Sequence, residues 1–307
     1  MSTPVRPYDR EQLRALATVL DEGSFEAAAA RLHLTPSAVS QRVRALEQRA
    51  GRVLVVRSRP CRATDDGAVL ARLAGQVALL ERDAADALGG GARDASDSGP
   101  VRLAVAVNAD SLSSWFPAAL VGLPADVLVD LRREDQDRTA ALLRDGSVTA
   151  AVTSDAHPVQ GCRVRPLGAM RYVAVAAPAF RDRWFPGPLD AAALDRAPVV
   201  AFNRADALQH RFAERLVGRA VAPPVHYVPS NGAFVALLAA GLGWGMVGEQ
   251  SLAPLLADGS LVVLAPDGHL DVPLHWQHWA LRTPTLDDLT DRVVRAARTA
   301  LRSPPAV

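Results

Sequence analysis

The chain has 307 residues, 49% of them apolar and 22% charged, with a formal net charge of +1. That composition belongs to a foldable globular chain long enough for two domains, and it excludes a disordered one. Every basic residue apart from histidine is an arginine and lysine is absent, which removes a P-loop nucleotide site, a pyridoxal-phosphate Schiff base and the strand lysine of protein kinases.

Cys61 and Cys162 stand far apart and outside any C-x-x-C context, so neither a zinc site nor a disulfide framework is expected, and a reducing compartment fits. The first residues mix prolines with Arg6, Asp9, Arg10, Glu11 and Arg14, with no apolar core of signal-peptide length. The uncharged stretch Gly232 to Gly248 holds five glycines and falls short of the roughly 20 apolar residues that span a bilayer. A cytoplasmic location with no membrane partner is the expectation.

Charge is unevenly spread along the chain. Residues 1–63 carry 11 arginines against 6 acidic residues, and residues 64–100 carry 3 against 7. A basic head within a neutral whole is the footprint of a nucleic-acid-binding segment.

Three helices are predicted in that head. Leu13, Leu16, Ala17 and Leu20 recur at i, i+3, i+4, i+7, as do Phe25, Ala28, Ala29 and Leu32; Val39, Val43 and Leu46 follow at i, i+4, i+7. Each set makes one apolar stripe. Gly23 separates the first helix from the second, Ser24 caps the second, His33-Leu34 is a tight connector, and Thr35 caps a third helix with Pro36 at its first position and Gly51 at its end. This arrangement is a helix-turn-helix.

The third helix has a second face. Ser37, Ser40, Gln41 and Arg44 lie opposite the valines, and none is acidic. Such a face can enter a major groove about 12 Å wide, where Gln41 suits adenine and Arg44 suits guanine or a phosphate. Thr35 and Pro36 at its leading end complete the candidate contacts, and Arg42 on the flank suits phosphate. The run Arg52 to Pro60 alternates, which predicts a β-wing whose tip arginines, Arg57 and Arg59, could follow the backbone or minor groove.

Thr64-Asp65-Asp66 opens a long helix with acids in its first turn. Leu70, Leu73, Val77 and Leu80 then follow 3–4 spacing, the seam of a coiled coil that would pair with its own copy. Gly89-Gly90-Gly91 and the Ser, Asp and Gly that follow read as a hinge. The expected organisation is a DNA-binding head over residues 1–63, a linker and dimerisation helix over 64–90, a hinge over 91–100 and a body over 101–307.

Three segments of this head carry a specific resemblance: Ser24 to Ala29, Leu34 to Glu47, and Ala63 to Gly67. Together they resemble the N-terminal signature of LysR-type transcriptional regulators. Val107 to Trp115, Phe202 to Arg211, Gly241 to Met246 and Trp276 to Trp279 are similar to the LysG/ArgP subgroup of that family. The resemblance implies an N-terminal all-α winged helix-turn-helix, a long linker helix and a C-terminal α/β two-lobed periplasmic-binding-protein-like effector domain. It implies lobe I over about 101–178 and 265–307 and lobe II over about 179–264, with the effector between them. It further implies a homotetrameric activator of an exporter gene, with L-lysine or L-arginine as effector, no other cofactor, and double-stranded promoter DNA, a second copy of itself and RNA polymerase as partners. The family often has Phe or Glu in the wing, where this chain reads Val-Leu-Val-Val-Arg.

The body independently reads as α/β. Strand-like runs at 101–107, 127–131, 149–152, 172–177, 199–202, 225–228, 244–247 and 261–264 alternate with helical patterns, which suggests largely parallel sheets. Ligands in such sheets sit beyond the carboxyl ends of strands, where the exits are polar: Asn108, Asp110, Ser111 and Ser114; Glu134 and Asp135; Thr153; Asn203 and Asp206; Ser230 and Asn231. Hydroxyls and N–H groups of Ser111 to Ser114 could take a carboxylate, and Asp110, Glu134, Asp135, Asp137 and Asp206 could take cations. Met246, within a segment of the resemblance, joins this effector set.

Other motifs are discounted. His275 and His278 are three apart on a strand and face opposite sides, so they cannot share a metal. Gly241 to Gly245 follows a helix and precedes a strand, the reverse of a dinucleotide fingerprint. No nucleophile elbow, cofactor motif or catalytic pair is present, which weighs against an enzyme or a solute-binding module with an incidental helical head.

Overall fold

The computed structural model describes residues 8–88, 101–133 and 136–303. Helices α1 (Arg10–Glu22), α2 (Phe25–Leu32) and α3 (Pro36–Ala50) form where the apolar stripes predict them. Each starts on a side-chain cap. Asp9 Oδ1 accepts from the Gln12 amide at 3.0 Å, Ser24 Oγ from Ala27 at 3.1 Å and Thr35 Oγ1 from Ala38 at 3.2 Å. His33, at φ 54°, makes the left-handed turn between α2 and α3. Leu13, Leu16, Val19, Ala28, Val39, Val43 and Leu46 meet in one buried core.

The wing is shorter than the alternating run suggests. Only β1 (Val55–Val56) and β2 (Arg62–Ala63) pair, antiparallel. Leu54 and Val55 are both buried in succession, because the Leu54 amide donates to Glu47 Oε1 on α3 at 3.0 Å. That bond pulls the chain against α3 and breaks the alternation.

Helix α4 (Asp65–Ala87) differs from its expected role as a free seam. Leu70 and Ala74 are buried in the head core and Leu73 packs on it, so two of the four seam residues, Leu70 and Leu73, already have partners within the chain. Val77 is half-buried, and the exposed large apolar residues of α4 are Val69 (64%) and Leu80 (46%). The expected hinge over 91–100, like residues 89 and 90, lies outside the described residues.

The body continues with β3 (Val101–Val107), α5 (Ala109–Ser113), α6 (Pro117–Leu120), β4 (Val127–Arg133), α7 (Gln136–Arg144) and β5 (Ala150–Thr153). Next come β6 (Cys162–Ala176), α8 (Pro178–Trp184), α9 (Ala191–Arg196), β7 (Val199–Ala201), α10 (Leu208–Val217), β8 (Val225–Tyr227) and α11 (Asn231–Ala239). The chain ends in β9 (Gly245–Gly248), α12 (Ala253–Ala257), β10 (Val262–Val263), β11 (His269–Trp279) and α13 (Pro284–Ala300).

Two compact units result. The first comprises the described residues within Met1–Val107, Gly122–Arg165 and Trp276–Asp291, and the second those within Asn108–Val121, Pro166–His275 and Arg292–Val307. These bounds differ from the lobe limits near 178 and 264, because the chain crosses inside the continuous strands β6 and β11 rather than at turns.

In the first unit β3 pairs in parallel with β4 and β5, and α4 lies against this part of the body. Arg72 Nη1 and Nη2 donate to the carbonyls of Gln160 and Gly161 at 2.9 and 2.7 Å, and Thr285 Oγ1 donates to Asp83 at 2.7 Å. A Cβ on Gly75 would come within 2.7 Å of the Trp279 ring. The second unit is only partly parallel. Strand β7 pairs in parallel with β8, but β6 pairs antiparallel with β9 and β10.

Gly67 lets α4 approach the wing, since a Cβ there would sit 1.9 Å from the Leu54 carbonyl oxygen. Backbone cannot yield as a flexible side chain can. Gly67→Ala is expected to cost about 1–3 kcal/mol, seen as a lower midpoint in denaturant unfolding of the full chain followed by circular dichroism. An unchanged midpoint would show that α4 can shift away from the wing without loss.

Candidate functional site

One face of α3 is spent on the core and the other is left to solvent. Val39, Val43 and Leu46 are fully buried. Thr35, Pro36, Ser37, Gln41 and Arg44 are exposed and Ser40 is half-exposed. The expected contact face therefore stands free as a row of hydroxyl, amide and guanidinium groups. Arg42, expected on the flank, pairs through Nη1 with Glu11 Oε2 of α1 at 2.8 Å, which ties α3 to α1. At the wing Arg57 and Arg59 are both exposed, and Arg57 lies 4.8 Å over the Phe25 ring, which holds its cation beside the start of α2.

The second unit holds a half-open cavity of about 280 Å³, near the lower end of small-molecule sites, which run from roughly 300 to 1,000 Å³. Its apolar walls are Met170, Phe202, Leu208, Phe234, Val235, Met246 and Val247, and its polar groups come from Asp110, Ser113, Ser114, Asp206, Asn231, Gln250 and Ser251. Two carboxylates line it and, among the described residues, no basic side chain does.

The two carboxylates differ in what remains open on them. Asp110 stands in the short helix α5. Its Oδ2 accepts from the Tyr172 hydroxyl at 2.6 Å and its Oδ1 from Asn231 Nδ2 at 3.0 Å. Each oxygen has one donor, so each keeps acceptor capacity toward the cavity. Burial pushes the Asp110 carboxyl above the usual carboxylate range, against the two hydrogen bonds that hold it down, and the nearby charge of Asp206 adds to the rise. Asp206 is mostly spent on local structure: Oδ2 accepts from the Phe202 amide and Gln209 Nε2, and Oδ1 from the Leu208 amide. It supplies negative field and braces the loop into α10.

Helix α11 enters the same cavity at its N-terminus through Asn231 and Gly232. Its N-cap, Ser230, makes no side-chain cap bond. The first-turn N–H groups are thus left for an anion.

Of the expected effector residues, Asp110, Ser114, Asp206, Asn231 and Met246 come together at the cavity. Five others are not among the residues that line it. Asn108 precedes α5 without capping it through its side chain, and Ser111 is fully buried behind it. Thr153 belongs to the first unit, where its hydroxyl accepts from the Asp155 amide at 3.1 Å. Asn203 Oδ1 accepts from Ala205 and Asp206 amides and shapes the turn, and Ser230 is exposed before α11. Glu134 and Asp135 lie outside the described residues. Ser113, within the run Ser111 to Ser114 expected to take a carboxylate, also lines the cavity, whereas Gln250, Ser251 and the apolar walls other than Met246 were not anticipated. Gln250 and Ser251 carry no motif.

Residues 10–68 match the family described as bacterial regulatory helix-turn-helix protein, lysR family, and residues 94–303 match the LysR substrate binding domain. The chain is 51% identical over 293 residues to the HTH-type transcriptional regulator LysG of Mycobacterium tuberculosis, covering 95% of this chain and 94% of the relative. It is 43% identical over 295 residues to the lysine export transcriptional regulatory protein LysG of Corynebacterium glutamicum, covering 95% and 98%. Among solved structures, ArgP from M. tuberculosis is similar with a TM-score of 0.84 at 50% identity, covering 95% of this chain and 98% of that one. Full-length LysG from C. glutamicum with bound effector Arg is similar with a TM-score of 0.73 at 40% identity, covering 96% and 99%.

Proposed function

Since the chain belongs to the LysR family of bacterial regulatory helix-turn-helix proteins, we propose that it controls an amino-acid export gene in response to L-arginine or L-lysine. It is a DNA-binding transcriptional regulator and not an enzyme. The observation that carries the effector reading is the imbalance of the cavity, two carboxylates against, among the described residues, no basic side chain. A cation of the ligand would take the open acceptor positions of Asp110. Its carboxylate would lie at the uncapped start of α11, and the methylenes of a basic side chain would run along Met170, Phe234 and Met246. The arginine held by the C. glutamicum relative supports the same class of ligand.

On the DNA side, the exposed face Thr35, Pro36, Ser37, Ser40, Gln41 and Arg44 would read the major groove of promoter DNA, with Arg57 and Arg59 on the flanking backbone. Val69 and Leu80 are exposed and, eleven residues apart, fall on one side of α4, which suits self-association of two copies, and pairs of dimers would build a tetramer. RNA polymerase is the partner that activation would recruit. No described helix is long and apolar enough to cross a membrane, and a promoter target places the protein's action in the cytoplasm. Effector control requires that the ligand bind two conformations with different affinity.

Two outcomes test this reading. In calorimetry of the full-length protein, L-arginine or L-lysine should bind, and the neutral isostere L-citrulline should bind much more weakly. Asp110→Asn should weaken the basic ligands by about 1.5–3 kcal/mol, roughly 10- to 150-fold; equal binding of citrulline, or an indifferent Asp110→Asn, would contradict the cationic site. In fluorescence-anisotropy titrations on genomic fragments, Gln41→Ala should erode discrimination at one base position by about 1–3 kcal/mol. Arg57→Ala should instead weaken all sequences alike and flatten the salt dependence by about one phosphate contact. Identical behaviour of the two variants would overturn the division between reading and gripping.

A further inference from the structure

We propose that Tyr172 is the positioning residue of the effector site, aiming the Asp110 carboxyl at a cationic ligand and setting how readily that carboxyl gives up its proton when the ligand arrives. The inference rests on the cationic-effector reading above and goes beyond it, because it makes binding a proton-linked step.

The geometry is specific. Tyr172 sits on β6, is 4% exposed and is not itself part of the cavity wall. Its hydroxyl spends its proton on Asp110 Oδ2 at 2.6 Å. From α11, Asn231 Nδ2 bridges Asp110 Oδ1 at 3.0 Å and Ser113 Oγ at 2.7 Å. The carboxyl is thus gripped from two elements, one donor to each oxygen, and cannot rotate away from the cavity without losing both. A tyrosine hydroxyl can donate or accept, so it also tolerates the protonated carboxyl, whereas the Asn231 amide nitrogen can only donate.

The groups that face Asp110 set the direction of the proton step. Tyr172 on β6 and Asn231 on α11 are neutral donors that favour the ionised form, and Asp206, ahead of α10, repels it. Burial acts with Asp206, so the empty site holds its proton to higher pH than an ordinary aspartate. A ligand ammonium or guanidinium against the same carboxyl reverses that balance. The Asp110 O–H bond breaks, the proton passes to the buffer, and an N–H of the cation takes its place at the oxygen. Below the pH at which the empty site titrates, binding must include this proton release, so affinity falls by about tenfold per pH unit as pH drops; above it, affinity is flat. Loss of the tyrosine donor raises the empty-site carboxyl further and moves the whole limb to higher pH.

The test is calorimetry of the full-length protein with L-arginine from the lowest pH at which it stays folded up to about pH 8, in buffers of different ionisation enthalpy. For the wild type we expect proton release on the acid side and an affinity limb there. Tyr172→Phe should shift that limb upward by roughly half to one pH unit while leaving high-pH affinity far less affected. Asn231→Ala removes the other donor, should shift the limb the same way, and serves if Tyr172→Phe does not fold. A uniform loss of affinity at every pH in the folded variants, or no proton release in the wild type, would overturn the inference while leaving the cationic effector standing. Failure of arginine to bind the wild type at any pH would instead overturn the effector reading, and this inference with it.

Discussion

A helix can bury one stripe and must leave the other side wet, and the DNA-binding reading depends on which side α3 spends. Val39, Val43 and Leu46 go into the head core, and Glu47 anchors the wing through the Leu54 amide. With those positions committed, Ser37, Gln41 and Arg44 can only face outward. The caps at Ser24 and Thr35 and the left-handed turn at His33 hold α3 at a fixed angle to α2. A rigidly presented polar face is what groove recognition demands, because each misplaced donor costs the desolvation of a base edge without return.

The sensing half depends on a comparable asymmetry. A cavity lined by two carboxylates and, among the described residues, no cation is electrostatically unfinished, and a positively charged ligand would complete it. Asp206 is bound up by three donors of its own loop, while Asp110 is held at two points and still open. Asp206 is thus left to supply charge, and Asp110 is the one with acceptor positions open for direct contact. Helix α4 belongs to both the head core and the first unit of the body: Leu70 and Ala74 pack on the head, and Arg72 and Asp83 bond to the body. A change in the first unit therefore has a packed route to the head.

Much of this was legible in the sequence. The head was readable nearly to the residue, because its signals are local: apolar spacing, Ser24 and Thr35 as caps, Pro36 at the first helical position. The strands of the body were legible as runs, but their pairing was not, and β6 turned out to pair antiparallel with β9 and β10. Arg42 could be placed on a flank of α3, yet only the fold brings Glu11 within 2.8 Å of it. The cavity was half visible, since charged residues and serines after strands stand out whereas Gln250, Ser251 and most of the apolar walls look like any others until distant segments converge. Tyr172 was hidden for the same reason: as one residue of an apolar strand it carries no mark, and its meaning lies 62 positions away at Asp110.

The central claim is that the outward face of α3 meets base edges. Site-specific photocrosslinking tests it directly, with a photoreactive side chain placed in turn at Gln41 and at Arg42 of the full-length protein bound to a DNA fragment it selects. Position 41 should crosslink to bases, and position 42, turned toward Glu11, should give little DNA adduct. Crosslinks from position 41 that fall within the protein, while the DNA remains bound and protected, would contradict the account.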